Sequence, residues 1–469
     1  MTELPLTITD AAVALRAGEV TSVELVELCF ATADRLDDLL GVYLATYRES
    51  ALSAAEAADA ELGAGTDRGV LHGIPLGIKD IIACQEGPTT ANSVVNDPTW
   101  YAGLDAPVVA RLRAAGAVIT GKVATMEYAI GLPDETKPFP VPRNPWDPAR
   151  WPGGSSSGSG AGVAARLFMG ALGTDTGGSV RMPAAFCGIT GMKQTYGLVP
   201  KAGCLPLGVT LDHIGPMTRS AADAAAMLSV MAGFDPTDPS MPPGVAGGDY
   251  SAGLTGDLGG VRIGIVRAHH VGVAGEDPAL GTRLDEAIAA LTAAGATVVD
   301  VELPLYQELT TACIMTMCVE AFAYHRDRMV TRWGDYGFGM RSFVGMGATY
   351  TAADYVQAQK VRRIGAGKLA ALLATVDVVA MPTAAAGAPL LEGIDVAAFL
   401  PLIFTPYWNA VGCPVIAVPM GLGDSGLPLS LSFAGKPFAD AAVLQAADAF
   451  QRRTDHHLLT PPMLEAVLD

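Results

Sequence analysis

The sequence predicts an α/β fold: a single large domain whose central mixed, largely parallel twisted sheet is covered by helices on both faces. Two observations predict it. Short apolar runs rich in β-branched residues alternate with longer helical segments, and parallel strands need such crossovers. Half of the 469 residues are hydrophobic and only 17% are charged, which suits a chain with much interior and little surface. With no internal repeat, we expect one domain over residues 1–469.

The predicted elements follow in chain order. Thr21 to Glu24 form a capping-box pattern, which opens a helix towards Leu36. Residues 234–260 are rich in Pro, Gly and Asp without periodicity and predict a long loop. Further helices are predicted over 51–62, 106–115, 162–168, 278–293, 308–333 and 352–373. Strands are predicted over 71–80, 117–120, 169–174, 261–266, 297–301 and 376–381.

Composition excludes several classes of protein. The net charge of −18 disfavours binding to a nucleic-acid backbone. Seven scattered cysteines without C-x-x-C indicate a reducing compartment, and we expect a cytoplasmic protein. Residues 396–423 lack charge but contain four prolines, which fits buried irregular backbone rather than a membrane span. No metal-ligand spacing appears, so we expect neither metal nor cofactor, and no membrane partner. A homodimer is left open.

Two Gly/Ser-rich blocks, residues 153–162 and 173–181, are the most informative stretch. A flexible linker would not continue directly into helix and strand patterns. A phosphate loop is disfavoured because Gly116 to Lys122 spells G-x-x-x-x-G-K but continues with Val123. A nucleophile elbow centred on Ser156 would need a strand where residues 143–152 are rich in proline.

A fourth interpretation covers more residues. The two blocks, 24 residues apart from Ser155 to Ser179, together with Lys79 in the upstream run HGIPLGIKD, resemble the amidase signature family of Ser-Ser-Lys hydrolases. Matching stretches include PGGSS, GTDTGGSVRMPAAFCGITG, NPWD and DHIGPM. The resemblance spans nearly the whole chain, with a signature core over 70–220, and is weakest over 234–375.

Position by position, the resemblance implies that Ser179 is the nucleophile, Ser155 a bridging serine and Lys79 the base. It also implies a cis peptide bond between Gly154 and Ser155. Independent chemistry agrees, because a lysine whose pKa is lowered by burial can take a proton from a serine hydroxyl. We expect main-chain N–H groups to form an oxyanion hole at Thr176, Gly177, Gly178 and Ser179. Supporting roles are expected for Ser156, Asp175 and Arg181.

The expected substrate is a small aryl or alkyl amide, an anilide or a carbamate (urethane), with ester cleavage as a side activity. Residues 305–375 form a variable helical region rich in Met and aromatic residues, which suits an adaptable apolar wall. The expected pocket residues are Met126, Tyr128, Ile130, Phe338, Met340, Phe343, Tyr407 and Trp408. The rival is the glutaminase A subunit of a tRNA-dependent amidotransferase complex, which has Gln where this chain has Met182 and must bind a charged glutamine.

Overall fold

The computed structural model describes residues 5–464, and eleven strands and fourteen α-helices lie wholly within this range. The strands are β1 (Tyr43–Thr46), β2 (Pro75–Lys79), β3 (Val118–Val123), β4 (Gly170–Asp175), β5 (Thr190–Lys193), β6 (His213–Thr218), β7 (Arg262–Ile265), β8 (Thr297–Asp300), β9 (Val378–Pro382), β10 (Val415–Leu422) and β11 (Pro428–Gly435). The helices are α1 (Ile8–Ala17), α2 (Ser22–Leu40), α3 (Arg48–Gly63), α4 (Pro107–Ala114), α5 (Ser157–Ala164), α6 (Arg181–Cys187), α7 (Ala221–Met231), α8 (Leu280–Ala293), α9 (Tyr306–Arg332), α10 (Phe338–Gly347), α11 (Ala352–Leu373), α12 (Val396–Phe399), α13 (Pro406–Val411) and α14 (Asp440–Thr454).

All eleven strands join one mixed sheet in the order β1-β3-β2-β4-β6-β5-β10-β11-β9-β7-β8. The pairs β2–β3, β2–β4, β7–β9 and β7–β8 are parallel. The other six pairs are antiparallel and include the whole centre of the sheet. The predicted mixed α/β sheet is therefore confirmed, but its parallel share is smaller than expected. Of the central strands, only β10 and β11 are joined by a short connection, whereas β5 pairs with β10 from a distant part of the chain, and the helix–strand alternation revealed neither pairing.

Most of the predicted helices and strands lie at the predicted residues. Thr21 caps α2 through a complete capping box, and α11 spans the predicted residues. The helix predicted over 162–168 is wrong: α5 begins inside the first Gly/Ser block and ends at Ala164, and Arg166 then has φ 63°. Helix α10 lies in a stretch for which no helix was predicted. Residues 232–261 contain no helix or strand, as expected for a loop.

The sheet brings the two Gly/Ser blocks to the end of β2. Because β2 and β4 are parallel neighbours, their carboxyl ends lie at the same edge of the sheet. Lys79 ends β2 and Asp175 ends β4. Within residues 5–464, no helix has the length and apolar character that crossing a bilayer requires.

Candidate functional site

Lys79 is completely buried at the end of β2 and contacts three hydroxyl groups. Its Nζ donates to Ser155 Oγ at 2.8 Å, to Ser156 Oγ at 2.9 Å and to Thr174 Oγ1 at 2.7 Å. An ammonium group has three N–H donors, so all three are used here. The peptide bond between Gly154 and Ser155 is cis.

Burial sets the protonation of this amine. Loss of hydration lowers the pKa of Lys79 from its ordinary 10.5 to about 7, and groups nearby such as Asp175 oppose this change without cancelling it. A substantial fraction of the amine is therefore neutral near pH 7 and has a lone pair that can accept a proton. This is the electrostatic state that a general base needs.

The two serines beside Lys79 differ in what their hydroxyl groups can do. Ser156 Oγ accepts from the Thr174 N–H at 3.1 Å and donates its own hydrogen to the Thr174 carbonyl at 3.2 Å. Ser155 Oγ has no hydrogen-bond partner other than Lys79 among residues 5–464. Of the two serines, only Ser155 is thus free to transfer its proton to the amine. The elbow interpretation centred on Ser156 is wrong, since this side chain is fully buried and its hydroxyl hydrogen is already donated.

Ser179 lies in a turn between β4 and α6 that is organised by a buried carboxylate. Asp175 accepts hydrogen bonds from the N–H groups of Gly178 at 2.9 Å and Val180 at 3.2 Å. Arg181, also fully buried, pairs with it through Nε at 3.0 Å. Burial alone would raise the pKa of Asp175, but the Arg181 guanidinium outweighs it and holds the carboxyl ionised.

The predicted oxyanion donors are not equivalent. The Gly178 N–H is already bonded to Asp175, so it is not available to a ligand. The N–H groups of Thr176, Gly177 and Ser179 have no partner within residues 5–464. Those three amides, and not the predicted four, are the candidate donors.

Ser155 and Ser179 line one open cavity of about 180 Å³. No charged side chain is among its lining residues, and most of them are apolar. Beyond the turn that carries Ser179, the wall comes from the loop after β3, from Trp151, from the start of α6, from α9 and α10, and from residues 396–406. These wall residues are Met126, Ala129, Ile130, Gly131, Leu132, Trp151, Met182, Thr310, Ile314, Met317, Phe343, Val396, Phe399, Leu400, Ile403 and Pro406.

Of the eight expected pocket residues, Met126, Ile130 and Phe343 line this cavity. The other five do not. Phe338 points to solvent and is 69% exposed, and Met340 lines a neighbouring cavity instead. The remaining three are buried in packing contacts: Tyr128 against His325, and Tyr407 against Tyr306 and Trp408.

Sequence reasoning missed three polar residues of the site. Thr174 is the third hydroxyl beside Lys79. Thr405 donates to the Gly177 carbonyl at 2.7 Å. Asn409 donates to Asp175 Oδ1 at 2.8 Å and accepts from Arg181 Nη2 at 2.6 Å. Asn409 was visible as a lone amide in an uncharged apolar run, and Thr174 lies inside the second Gly/Ser block, whereas nothing in the sequence marked Thr405.

One cluster within residues 5–464 has the composition of a metal site: Cys84, Glu86 and Asp105. Arg113 already pairs with both carboxylates. Burial raises the pKa of the Cys84 thiol to about 12, which disfavours the thiolate that a metal requires. We assign no metal to this cluster.

Comparison with known proteins identifies the family. The family described as Amidase matches residues 24–444. The A subunit of glutamyl-tRNA(Gln) amidotransferase from Chloroflexus aurantiacus is 39% identical, over 99% of this chain and 100% of that protein. The putative amidase AmiD of Mycobacterium tuberculosis is 37% identical over 98% of this chain and 96% of that protein. The crystal structure of native peptide amidase from Stenotrophomonas maltophilia superposes with a TM-score of 0.84, at 32% identity, over 96% of this chain and 98% of that one.

Proposed function

The chain belongs to the amidase family and is a hydrolase of C–N bonds, and on that premise we propose that it cleaves aryl or alkyl amides, anilides or carbamates through an acyl-enzyme formed on Ser179. Ester cleavage is the expected side activity, because the carbonyl chemistry is the same. The observation that carries the proposal is the uncharged cavity with two serine residues at its wall and a buried amine of pKa about 7 behind one of them.

The proposed reaction begins with proton transfer. Ser179 Oγ attacks the carbonyl carbon while its proton passes to Ser155 and the proton of Ser155 passes to the neutral amine of Lys79. Free N–H groups of the turn hold the oxyanion of the tetrahedral intermediate. When the C–N bond breaks, the leaving nitrogen takes a proton back from Ser155, which the Lys79 ammonium refills. Water then cleaves the acyl-Ser179 ester by the reverse route.

The walls of the cavity favour an apolar substrate. Apolar side chains bind alkyl and aryl groups by removing their surface from water. A free amino acid brings an ammonium and a carboxylate, and each needs a charged or strongly polar partner once it is out of water. None of the lining side chains offers a charge. We therefore expect hydrocarbon acyl or leaving groups rather than glutamine.

A second candidate is a glutaminase that works within a larger complex. Its support is the 39% identity to the A subunit of glutamyl-tRNA(Gln) amidotransferase, which leaves partner proteins open. The uncharged cavity and Met182 at its wall count against it.

The test uses the purified chain alone. Its kcat/KM is measured on p-nitroanilides of increasing acyl length, on phenyl carbamates, on acetamide and on glutamine. We expect kcat/KM to rise with apolar length and glutamine to be at least about 100-fold poorer, as for a ligand whose charges find no partner. A preference for glutamine or acetamide would overturn the proposal.

A matched pair of serine variants tests the nucleophile. Ser179→Ala should lose about 1,000-fold or more in kcat and should no longer be labelled by a fluorophosphonate. Ser159→Ala is the control, because Ser159 is buried in the same block but bonds only to the Leu172 carbonyl. Undiminished labelling of Ser179→Ala would place the nucleophile elsewhere.

A further inference from the structure

Thr405 lies outside the two Gly/Ser blocks, yet its side chain contacts the turn that carries the nucleophile. The residue is buried, with 1% of its surface exposed. Its Oγ1 donates to the Gly177 carbonyl at 2.7 Å. Its own carbonyl accepts from Arg181 Nη1 at 3.1 Å. Both ends of the turn therefore bond to this single residue, 228 positions further along the chain.

The peptide group between Gly177 and Gly178 is held at both ends. Thr405 holds its carbonyl oxygen, and Asp175 holds its N–H at 2.9 Å. A peptide group is planar, so these two bonds fix its orientation. The unpartnered N–H groups of Gly177 and Ser179 flank this plane on either side and take their directions from it.

The turn has the shape to admit this hydroxyl. Gly178 has φ +129°, and a Cβ added there would lie 1.9 Å from Thr405 Oγ1. Glycine is thus needed both for the backbone conformation and for the close approach of Thr405. Gly177, by contrast, has no atom nearer than 3.8 Å to an added Cβ.

The geometry points to Thr405 as a positioning residue for the oxyanion hole, which couples the substrate-binding wall to the catalytic turn. Ile403 and Pro406, on either side of it, line the cavity. A substrate that packs against this wall stabilises the segment whose hydroxyl fixes the turn. Thr405 does not line the cavity, so it acts through the Gly177–Gly178 peptide and not on the substrate. This inference rests on the proposed hydrolysis.

The signature of such a residue is a split between kcat and KM. Misplaced oxyanion donors weaken transition-state binding but leave ground-state binding of an apolar substrate intact. For Thr405→Val, we expect kcat on a p-nitroanilide to fall about 10- to 100-fold with KM within about threefold of wild type. Thr405→Ser keeps the hydroxyl and should retain most of the activity. Thr218→Val is the control: it removes a buried hydroxyl at the end of β6 that pairs with the start of β4, whereas the turn of Ser179 follows the end of β4.

Binding of two inhibitors provides a readout that a merely structural role would not move. An arylalkyl trifluoromethyl ketone forms a tetrahedral adduct with the nucleophile, whereas the matching alcohol fills only the cavity. Thr405→Val should weaken the ketone about 10-fold or more and the alcohol less than threefold. If Thr405→Val does not fold, Thr405→Ala, which adds no methyl group, is measured in the same way. The inference is overturned if Thr405→Val weakens both inhibitors equally or keeps a kcat within threefold of wild type. A wild-type chain that cleaves no amide would instead overturn the proposed function itself.

Discussion

Replacing Thr174 by valine removes one of the three hydroxyl oxygens that accept hydrogen bonds from Lys79 Nζ. The ammonium form uses all three acceptors, while the neutral amine has only two N–H donors and benefits less. A hydrogen bond to a charged group contributes about 1.5–3 kcal/mol and a neutral one about 1 kcal/mol. Loss of the Thr174 hydroxyl therefore destabilises the ammonium form by about 1 kcal/mol more than the neutral amine. This lowers the pKa of Lys79 by roughly one unit, because one unit corresponds to about 1.4 kcal/mol.

The assay is kcat/KM on a p-nitroanilide between about pH 5 and pH 9. In the wild type, activity should rise with pH through about 7, where Lys79 becomes neutral, and then stay level. In Thr174→Val, the rise should move about one unit towards acid, whatever happens to the plateau. Thr218→Val, the buried control in β6, should leave the midpoint unchanged. A midpoint that stays in place or moves towards alkali in Thr174→Val would refute Lys79 as the titrating base.

Three further outcomes follow from the same contacts. Because the pKa of Lys79 is lower in the folded protein than in the unfolded chain, the unfolded chain binds more protons between about pH 7 and 10.5, and stability rises with pH in that window. Lys79→Met should remove this contribution. Between about pH 7.5 and 9.5, the free energy of unfolding measured in urea should rise by roughly 1.4 kcal/mol per pH unit more in the wild type than in the variant. The same pH dependence in both proteins would contradict a buried amine. Gly178→Ala should destabilise the protein by about 3 kcal/mol, because an alanine there is strained at positive φ and its Cβ clashes with Thr405. Gly177→Ala should unfold at nearly the same urea concentration as the wild type. Equal effects of the two substitutions would contradict the geometry of the turn. Phe343→Ala should raise KM for an aryl amide several-fold, because it removes part of the cavity wall. Phe338→Ala should leave KM unchanged, since the Phe338 side chain is 69% exposed and does not line the cavity. An equal rise in both variants would count against the assigned wall.

Local signals predicted strands β2, β3, β4, β7, β8 and β9 and helices α2, α3, α4, α8, α9 and α11, but not β1, β5, β6, β10 or β11. The capping box at Thr21 and the long helical pattern of α11 depend on residues close in sequence, so they were visible without the fold. The antiparallel centre was not, because the pairing of β5 with β10 joins strands more than 200 residues apart. Nothing in either strand alone indicates which partner it will take.

The site shows the same contrast between local sequence signals and contacts that only the folded chain creates. Lys79, Ser155 and Ser179 were predicted because two blocks and one upstream run keep a characteristic spacing, and the structure brings Lys79 and Ser155 to 2.8 Å. Their catalytic roles remain proposals. Thr405 and Asn409 contact this turn only through tertiary packing, so a sequence scan sees one threonine and one asparagine among many. Met340 and Phe338 were expected in the pocket and do not line it. A suitable residue type does not indicate which way its side chain points.

The contacts made by Thr405 and Asn409 also set the earliest point in synthesis at which the turn that carries Ser179 can be complete. A nascent chain that has emerged only as far as β9 already contains Lys79, Ser155 and Ser179. It still lacks β10 and β11, the two strands that stand between β5 and β9 in the finished sheet. Translation must therefore pass Asn409 before the turn that carries Ser179 can receive these hydrogen bonds, and it must reach β11 before the two flanks of the sheet can join. We expect a chain truncated before these points to carry Lys79, Ser155 and Ser179 without the contacts that order them.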